Sequence, residues 1–273
     1  MNEMKFSVLL SVYYKENPSF LEQALKSVFN QTISPSEVVL VQDGLLKDEL
    51  NSVIEKFKGK YKKNFKVIKF KKNRGLGSAL HDGLLECSNE IVFRMDTDDI
   101  CRKDRFEKQL EIFKKMDVDV VGGNIIEFDE RMKSEIGKRI VPESDKEIKK
   151  KMKKRNSINH VSVAYKKSKV LEAGNYLDML YFEDYYLWAR MIKNNCKFYN
   201  IQENLVNVRA GNNMIKRRGG IRYIKYTISF EKKLLYLDFI NYFEYIKNIV
   251  ERTLVTLMPI NIRFLIYKKI LRK

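Results

Sequence analysis

EIVFRMDTDDIC, residues 90–101, sets Asp96, Asp98 and Asp99 just beyond the apolar run IVF (91–93). Carboxylates this close repel one another and resist ionisation unless a cation lies among them. A solvated turn capping the next helix would account for the run, and so would a divalent-metal site. The flanking sequence has to choose between them.

Working outward, EIVFRMD (90–96) reads as a strand, and the first 128 residues alternate between two periods. FSVLLSVYY (6–14), EVVLVQDG (37–44), FKVIKF (65–70) and VDVVGGNIIEF (118–128) are β-rich runs. SFLEQALKSVFNQ (19–31), ELNSVIEKF (49–57), GSALHDGLLECS (77–88) and RFEKQLEIFKKM (105–116) carry apolar residues at helical spacing, and Pro18 suits a first turn. Strand–helix alternation predicts βαβ units and a mainly parallel sheet. Such sheets bind ligands beyond the carboxyl ends of their strands, where VQDG and RMDTDD both place acids.

Further on, KEIKKKMKKR (146–155) reads as a solvated helix or mobile loop, VSVAYKK (161–167) as a strand, and SKVLEAG (168–174) as a short helix ending at Gly. FEDYYLWARMIKNN (182–195) is a helix with Glu183 and Asp184 in its first turn, where the helix dipole favours acids. KFYNI (197–201) and LVNVR (205–209) read as two short strands. From 219 onward the pattern is helical throughout.

Of the 273 residues 44% are hydrophobic and 12% aromatic, enough for a sizeable core. Three cysteines (Cys87, Cys101, Cys196) lack metal-ligand spacing and point to a reducing compartment. Two histidines leave little room for a histidine metal site. NRGLGSALHDG (73–83) has Leu80 where a dinucleotide fingerprint needs its last glycine, and no Walker pattern exists. The N-terminus has no signal-peptide pattern, and no run reaches the roughly 18 apolar residues of a membrane span. The expectation is a cytoplasmic protein, free or peripheral to a membrane.

The net charge of +18 is uneven: residues 214–273 hold fourteen Lys/Arg against four Asp/Glu. Such an excess draws phosphates on nucleic acid, nucleotides or lipid headgroups. RTLVTLMPINIRFLIYKKILRK (252–273) reads as a basic amphipathic helix broken at Pro259, suited to an anionic membrane surface. No RNA-stacking, zinc-finger or helix-turn-helix signature supports a nucleic-acid binder.

Taken in order, SVLLSVYYKENPSFLEQALKSVFNQT, VVLVQDG, NRGLGSALHDGL, RMDTDDI, NHVSVAYKKSKVLEAGNY and FEDYYLWARM resemble the motifs of glycosyltransferase family 2, of the bacterial capsule, O-antigen and surface-polysaccharide kind. The resemblance spans roughly residues 5–195. VQDG has one acid, Asp43, where relatives commonly have two, and NHVS lacks a proline common after the histidine.

The resemblance implies a GT-A fold: an α/β domain with a mainly parallel central sheet flanked by helices, and a helical C-terminal extension. It divides the chain into a catalytic domain, 1–213, and a basic extension, 214–273. Residues 1–128 would bind the nucleotide sugar and 129–213 the acceptor. By resemblance, Asp96 and Asp98 form a DXD pair meeting ribose and metal, with Asp99 sharing a Mn2+ or Mg2+ ion. Tyr13, Glu16, Asp43 and Arg74 would contact the nucleotide sugar. Asp184 matches the general base, with Glu183 beside it. His160 and Trp188 are candidates for the diphosphate or acceptor pocket, with core packing as the competing role. The implied reaction is metal-dependent, inverting transfer from a nucleotide sugar, by family habit a UDP-sugar. The hydroxyl acceptor would be a glycan on a polyprenyl-diphosphate lipid at the inner face of the membrane. A nucleic-acid-binding protein and a nucleotidyltransferase are the competing readings; SVYYKENP is not the Gly/Lys-rich activating loop the latter needs.

Overall fold

The computed structural model describes residues 4–210 and 219–263. The strand–helix alternation is present in the expected order. The first half comprises β1 (Phe6–Val12), α1 (Pro18–Phe29), β2 (Glu37–Gln42), α2 (Asp48–Lys60), β3 (Phe65–Lys69), α3 (Leu76–Leu85), β4 (Ile91–Arg94), β5 (Ile100–Cys101), α4 (Arg105–Lys115) and β6 (Val120–Phe128). Then follow β7 (Glu135–Arg139), α5 (Asp145–Met152), β8 (Ala164–Lys166), α6 (Lys167–Glu172), α7 (Glu183–Lys193), β9 (Phe198–Arg209), α8 (Gly220–Tyr236) and α9 (Tyr242–Leu257).

Among the described residues one sheet takes in every strand, in the order β3-β2-β1-β4-β8-β6-β9-β5, with β7 paired to β6. β3, β2, β1 and β4 are parallel. Beyond β4 the sheet is mixed: β8 runs antiparallel between β4 and β6, while β9 is parallel to β6. The parallel strands are buried on both faces and read accordingly as continuous apolar runs. On one face Leu9, Val41, Leu80 and Leu84 belong to a core that extends to Trp188 and Phe198. On the other, Leu10, Leu25, Phe93 and Phe106 pack together. Local chemistry sets the helix starts. Asn17 accepts the Ser19 amide at 2.9 Å ahead of Pro18 in α1, and Asn241 and Glu244 close a capping box on α9.

Several local expectations change. KFYNI and LVNVR are one twelve-residue strand, because shifts in the β6–β9 register absorb the polar residues between them. VSVAYKK begins as a 3-10 turn over His160–Ser162, in which the Ser162 hydroxyl donates to the Gly123 carbonyl, and becomes strand only at Ala164. The basic run 146–155 forms most of α5, which buries Ile148 and Met152 one turn apart. All three cysteines are buried, and burial pushes Cys87 up to about 12 and Cys196 up to about 11.

The C-terminal helices pack onto α7: Phe230 stacks on Phe182 at 4.3 Å and tilts against Tyr185 at 4.8 Å. Helix α9 ends at Leu257, two residues before Pro259. The basic tail 252–273 is described only to residue 263. Among the described residues, no helix is long and apolar enough to cross a membrane.

Candidate active site

β1 places Ser11 beside Val41 of β2 and Leu9 beside Arg94 of β4. The residues following these parallel strands therefore meet at one edge of the sheet, which is where Glu16, Asp43 and Asp96–Asp99 lie. Carboxylate oxygens of Asp96, Asp98 and Asp99 fall within 4.8 Å of one another. Burial, then Asp96 and Glu16, push Asp98 up to about 7. Burial, then Asp98 and Asp96, push Asp99 well above the usual carboxylate range. Three hard oxygen donors whose mutual repulsion a cation would relieve are the donor set Mg2+ or Mn2+ takes, so these residues fit such an ion.

Two arginines that motif reading passed over hold this loop. Arg94 is 2% exposed and ion-pairs with Asp96. Its charge bears on Asp98, Asp99, His160, Tyr176 and Asp184, so one buried guanidinium lies within electrostatic reach of both the acid cluster and the start of α7. Arg209, the last residue of β9, donates its backbone N–H to Asp99 at 2.8 Å and its guanidinium to the Asp98 carbonyl and to Gln23 Oε1 at 2.6 Å. An arginine directly after a buried apolar run was the available signal for Arg94. Arg209 carried no signal, because its partner is 110 positions away. Behind the loop, the fully buried Arg105 donates to the carbonyls of Arg94 at 2.8 Å and Val163 at 3.2 Å, and to Gln109 Oε1 at 3.0 Å.

Glu16 joins the cluster through Thr97, whose hydroxyl donates to Glu16 Oε2 at 2.7 Å; burial raises the Glu16 pKa. Tyr13 stands at the same strand end, 38% exposed. Asp43, 3% exposed, accepts the Arg74 amide at 2.7 Å and the Gly75 amide at 3.0 Å, one on each oxygen. It therefore orders the NRG loop from beneath. Gly44 makes this possible: its φ is +91°, and a Cβ there would lie 2.7 Å from the Asn73 amide nitrogen. The Arg74 side chain lies over Phe70 and pairs with Asp82 at 2.7 Å.

Glu183 and Asp184 open α7 as expected. Asp184 accepts from Asn156 Nδ2 at 2.7 Å, and burial raises its pKa, which makes the carboxylate a stronger base. His160 Nε2 lies 3.0 Å from the Tyr176 hydroxyl, and burial followed by Arg94 keeps the imidazole neutral. Trp188 departs from the pocket expectation. It is 0% exposed, packed against Tyr165 and His160, and presents no surface to an acceptor. Its place on α7, four residues after Asp184, turns it towards the sheet. Beside Asn156 a shallow hollow is lined by Arg139, Lys151 and Arg155.

The family model described as Glycosyl transferase family 2 matches residues 7–171. The chain is similar to the UDP-Gal:alpha-D-GlcNAc-diphosphoundecaprenol beta-1,3-galactosyltransferase of Escherichia coli, 39% identical over 270 residues, covering 98% of this chain and 97% of that one. It is 38% identical to the amylovoran biosynthesis glycosyltransferase AmsE of Erwinia amylovora, covering 97% and 98%. Among solved structures, S. aureus TarS 1–349 in complex with UDP-GlcNAc superposes with a TM-score of 0.67 at 18% identity, covering 93% of this chain and 72% of that one. The mannosyltransferase PcManGT from Pyrobaculum calidifontis, in complex with GDP-Man and Mn2+, gives 0.65 at 12% identity, covering 92% and 70%. The fold is thus the GT-A fold, and by family model and full-length relatives alike the chain belongs to glycosyl transferase family 2.

Proposed function

We propose that this glycosyltransferase moves a sugar from a UDP-sugar to a hydroxyl of a lipid-linked, diphosphate-bearing glycan during bacterial surface-polysaccharide synthesis, with inversion at the anomeric carbon. The observation that carries the reading is the convergence of three aspartates at the strand ends, under the same buried Arg94 that bears on Asp184. The nucleotide and acceptor follow the activity for which the Escherichia coli relative is named, a relative that matches nearly the whole chain.

Asp96, Asp98 and Asp99 would hold a divalent ion. When bound, it neutralises charge on the donor's diphosphate and steadies the leaving nucleotide. Glu16 and the Ser11 carbonyl of β1 brace the acid loop through the Thr97 hydroxyl, and Asp43 fixes the NRG loop that flanks the nucleotide. Tyr13 and Arg74 border the same region. On the other side Asp184, oriented by Asn156, takes the proton of the acceptor hydroxyl as its oxygen attacks the anomeric carbon; Glu183 stands beside it. Displacement from the face opposite the leaving group gives the inverted product. His160, neutral and bonded to Tyr176, shapes the floor between the two halves.

A panel of sugar nucleotides with Mn2+ or Mg2+ and a polyprenyl-diphosphate GlcNAc acceptor tests the proposal. Metal-dependent transfer from one UDP-sugar is expected. Metal-dependent release of pyrophosphate from a nucleoside triphosphate would instead mark a nucleotidyltransferase and sink it.

A further inference from the structure

Helix α9 is amphipathic in the opposite sense to a helix packed on a water-soluble core. Its inward face is polar. Asn248, 4% exposed, donates to Glu231 Oε2 at 3.0 Å and to the Lys153 carbonyl at 2.9 Å. Arg252 lies 2.9 Å from the fully buried Glu231 and donates to the Lys154 carbonyl at 3.0 Å, and Thr256 is buried beside them. Its outward face is apolar: Phe243 is 75% exposed, Ile246 42%, Val250 50%, Leu254 58% and Leu257 61%. At 3.6 residues per turn these five lie within about 80° of arc, along a stripe roughly 21 Å long. Lys247 lies about 20° beyond one edge of the stripe, and Tyr242 flanks its start.

Two considerations choose the occupant. The first is charge. Residues 214–273 carry fourteen Lys/Arg against four Asp/Glu. Three of those four acids are paired: Glu231 is buried against Arg252, Glu244 pairs with Lys153 at 3.6 Å and Glu251 with Lys154 at 3.0 Å; Asp238 is the fourth. The excess of positive charge, with most of the acids held in ion pairs, favours an anionic surface. The second is area. A stripe of roughly 21 by 10 Å offers about 200 Å², far below the ~800 Å² per partner of a stable dimer. An interfacial helix needs no such extent, because lipid moulds itself to the stripe.

We propose that the outward face of α9 lays this protein on an anionic bilayer. Phe243, Ile246, Val250, Leu254 and Leu257 then sit at the headgroup–acyl boundary. The contact begins upstream of the basic tail 252–273 and is carried by a helix whose other face grips the catalytic domain. The main-chain carbonyls it grips, at Lys153 and Lys154, lead directly into Asn156, the partner of Asp184. Arg252 also lies over the ring of Tyr185, the residue after Asp184, at 5.6 Å. The proposal goes beyond the transfer reaction and stands whichever acceptor is used.

The test is co-sedimentation of the full chain with phosphatidylglycerol-containing vesicles and with pure phosphatidylcholine vesicles. Wild type should pellet with the anionic vesicles, and the double substitution Val250→Glu/Leu254→Glu should lower its partition by about tenfold or more. Wild type left in the supernatant, or a folded double variant that pellets like wild type, overturns the proposal. So does a wild-type dimer in light scattering that the double variant converts to monomer, since the face would then bind a second copy. Phe243→Trp gives a readout free of any folding defect: its emission should shift to the blue on adding anionic vesicles, and an unchanged spectrum counts against the idea. Failure to transfer sugar to any lipid-linked acceptor would strike the proposed reaction and leave these outcomes as they stand.

Discussion

The backbone N–H of Arg209 donates to a carboxylate oxygen of Asp99 at 2.8 Å, joining the end of β9 to the loop after β4. The Arg209 guanidinium covers the Phe20 ring at 4.1 Å and donates to the Asp98 and Glu130 carbonyls and to Gln23. One side chain thus clamps the acid loop against α1 and the β6–β7 turn. Arg209→Ala should weaken Mn2+-dependent UDP binding about tenfold, the loss of one charge-assisted hydrogen bond's worth of positioning. Titration calorimetry with UDP checks this, with Arg209→Lys recovering part of the loss. Unchanged affinity would show that the loop needs no clamp.

Asp98→Asn should abolish metal-dependent nucleotide binding and yet stabilise the metal-free protein above neutral pH. The sign follows from the raised pKa of Asp98, about 7 in the fold against 3.8. Between those values the folded state holds a proton that the unfolded state has lost. This group's contribution is therefore greatest below about pH 4 and is lost as pH rises through 7. Wild type without metal should melt progressively lower from pH 5 to 8, and the variant should be flatter over that window. The gap at pH 8 should be several degrees, at about 2–4 °C for each kcal/mol relieved. Differential scanning calorimetry across pH, with and without Mn2+, reads both effects. Parallel wild-type and variant curves would refute the electrostatic account.

Asp184→Asn should leave UDP-sugar affinity within about twofold of wild type while lowering kcat by roughly 10²–10⁴, the usual contribution of a general base. Asn156→Ala should lower kcat less, because it frees the carboxylate without removing it. Single-turnover transfer measured beside donor binding separates the two. Transfer at the wild-type rate by Asp184→Asn would move the base elsewhere.

Gly44→Ala should both destabilise the fold and raise the donor KM. The left-handed φ costs an alanine about 1–2 kcal/mol, and its Cβ would push Asn73, and with it the NRG loop, away from Asp43. Thermal melts and donor saturation curves check it, and a lower melting temperature with unchanged KM would leave the NRG loop outside the donor site.

The fold was legible where apolar period and turn chemistry agree. β1, β2 and β4 are buried on both faces, so their sequences are continuous apolar runs, and α1 announces itself through Pro18 and its Leu21, Leu25, Val28 stripe. Legibility failed where pairing is non-local. β5 has two residues and exists because Ile100 and Cys101 pair with Asn207 and Val206, and β7 is polar and pairs only with β6. Asp96, Asp98, Asp99 and Asp184 stood out by type and position. Arg94 was signalled only by its place directly after a buried apolar run, and Arg209 not at all, since its partner Asp99 is 110 positions away. Trp188 misled because helical spacing from Asp184 is the same for a pocket wall and for a core residue; burial alone separates them.

Every native thiol of this chain lies in the interior, where desolvation keeps it protonated. Reagents that attack thiolates should pass the wild-type protein by. A single substitution such as Val250→Cys would then give the only reactive sulfur, and a spin label or fluorophore could be attached there against a silent background. The buried cysteines thus turn the wild-type chain into a ready host for site-specific depth measurements.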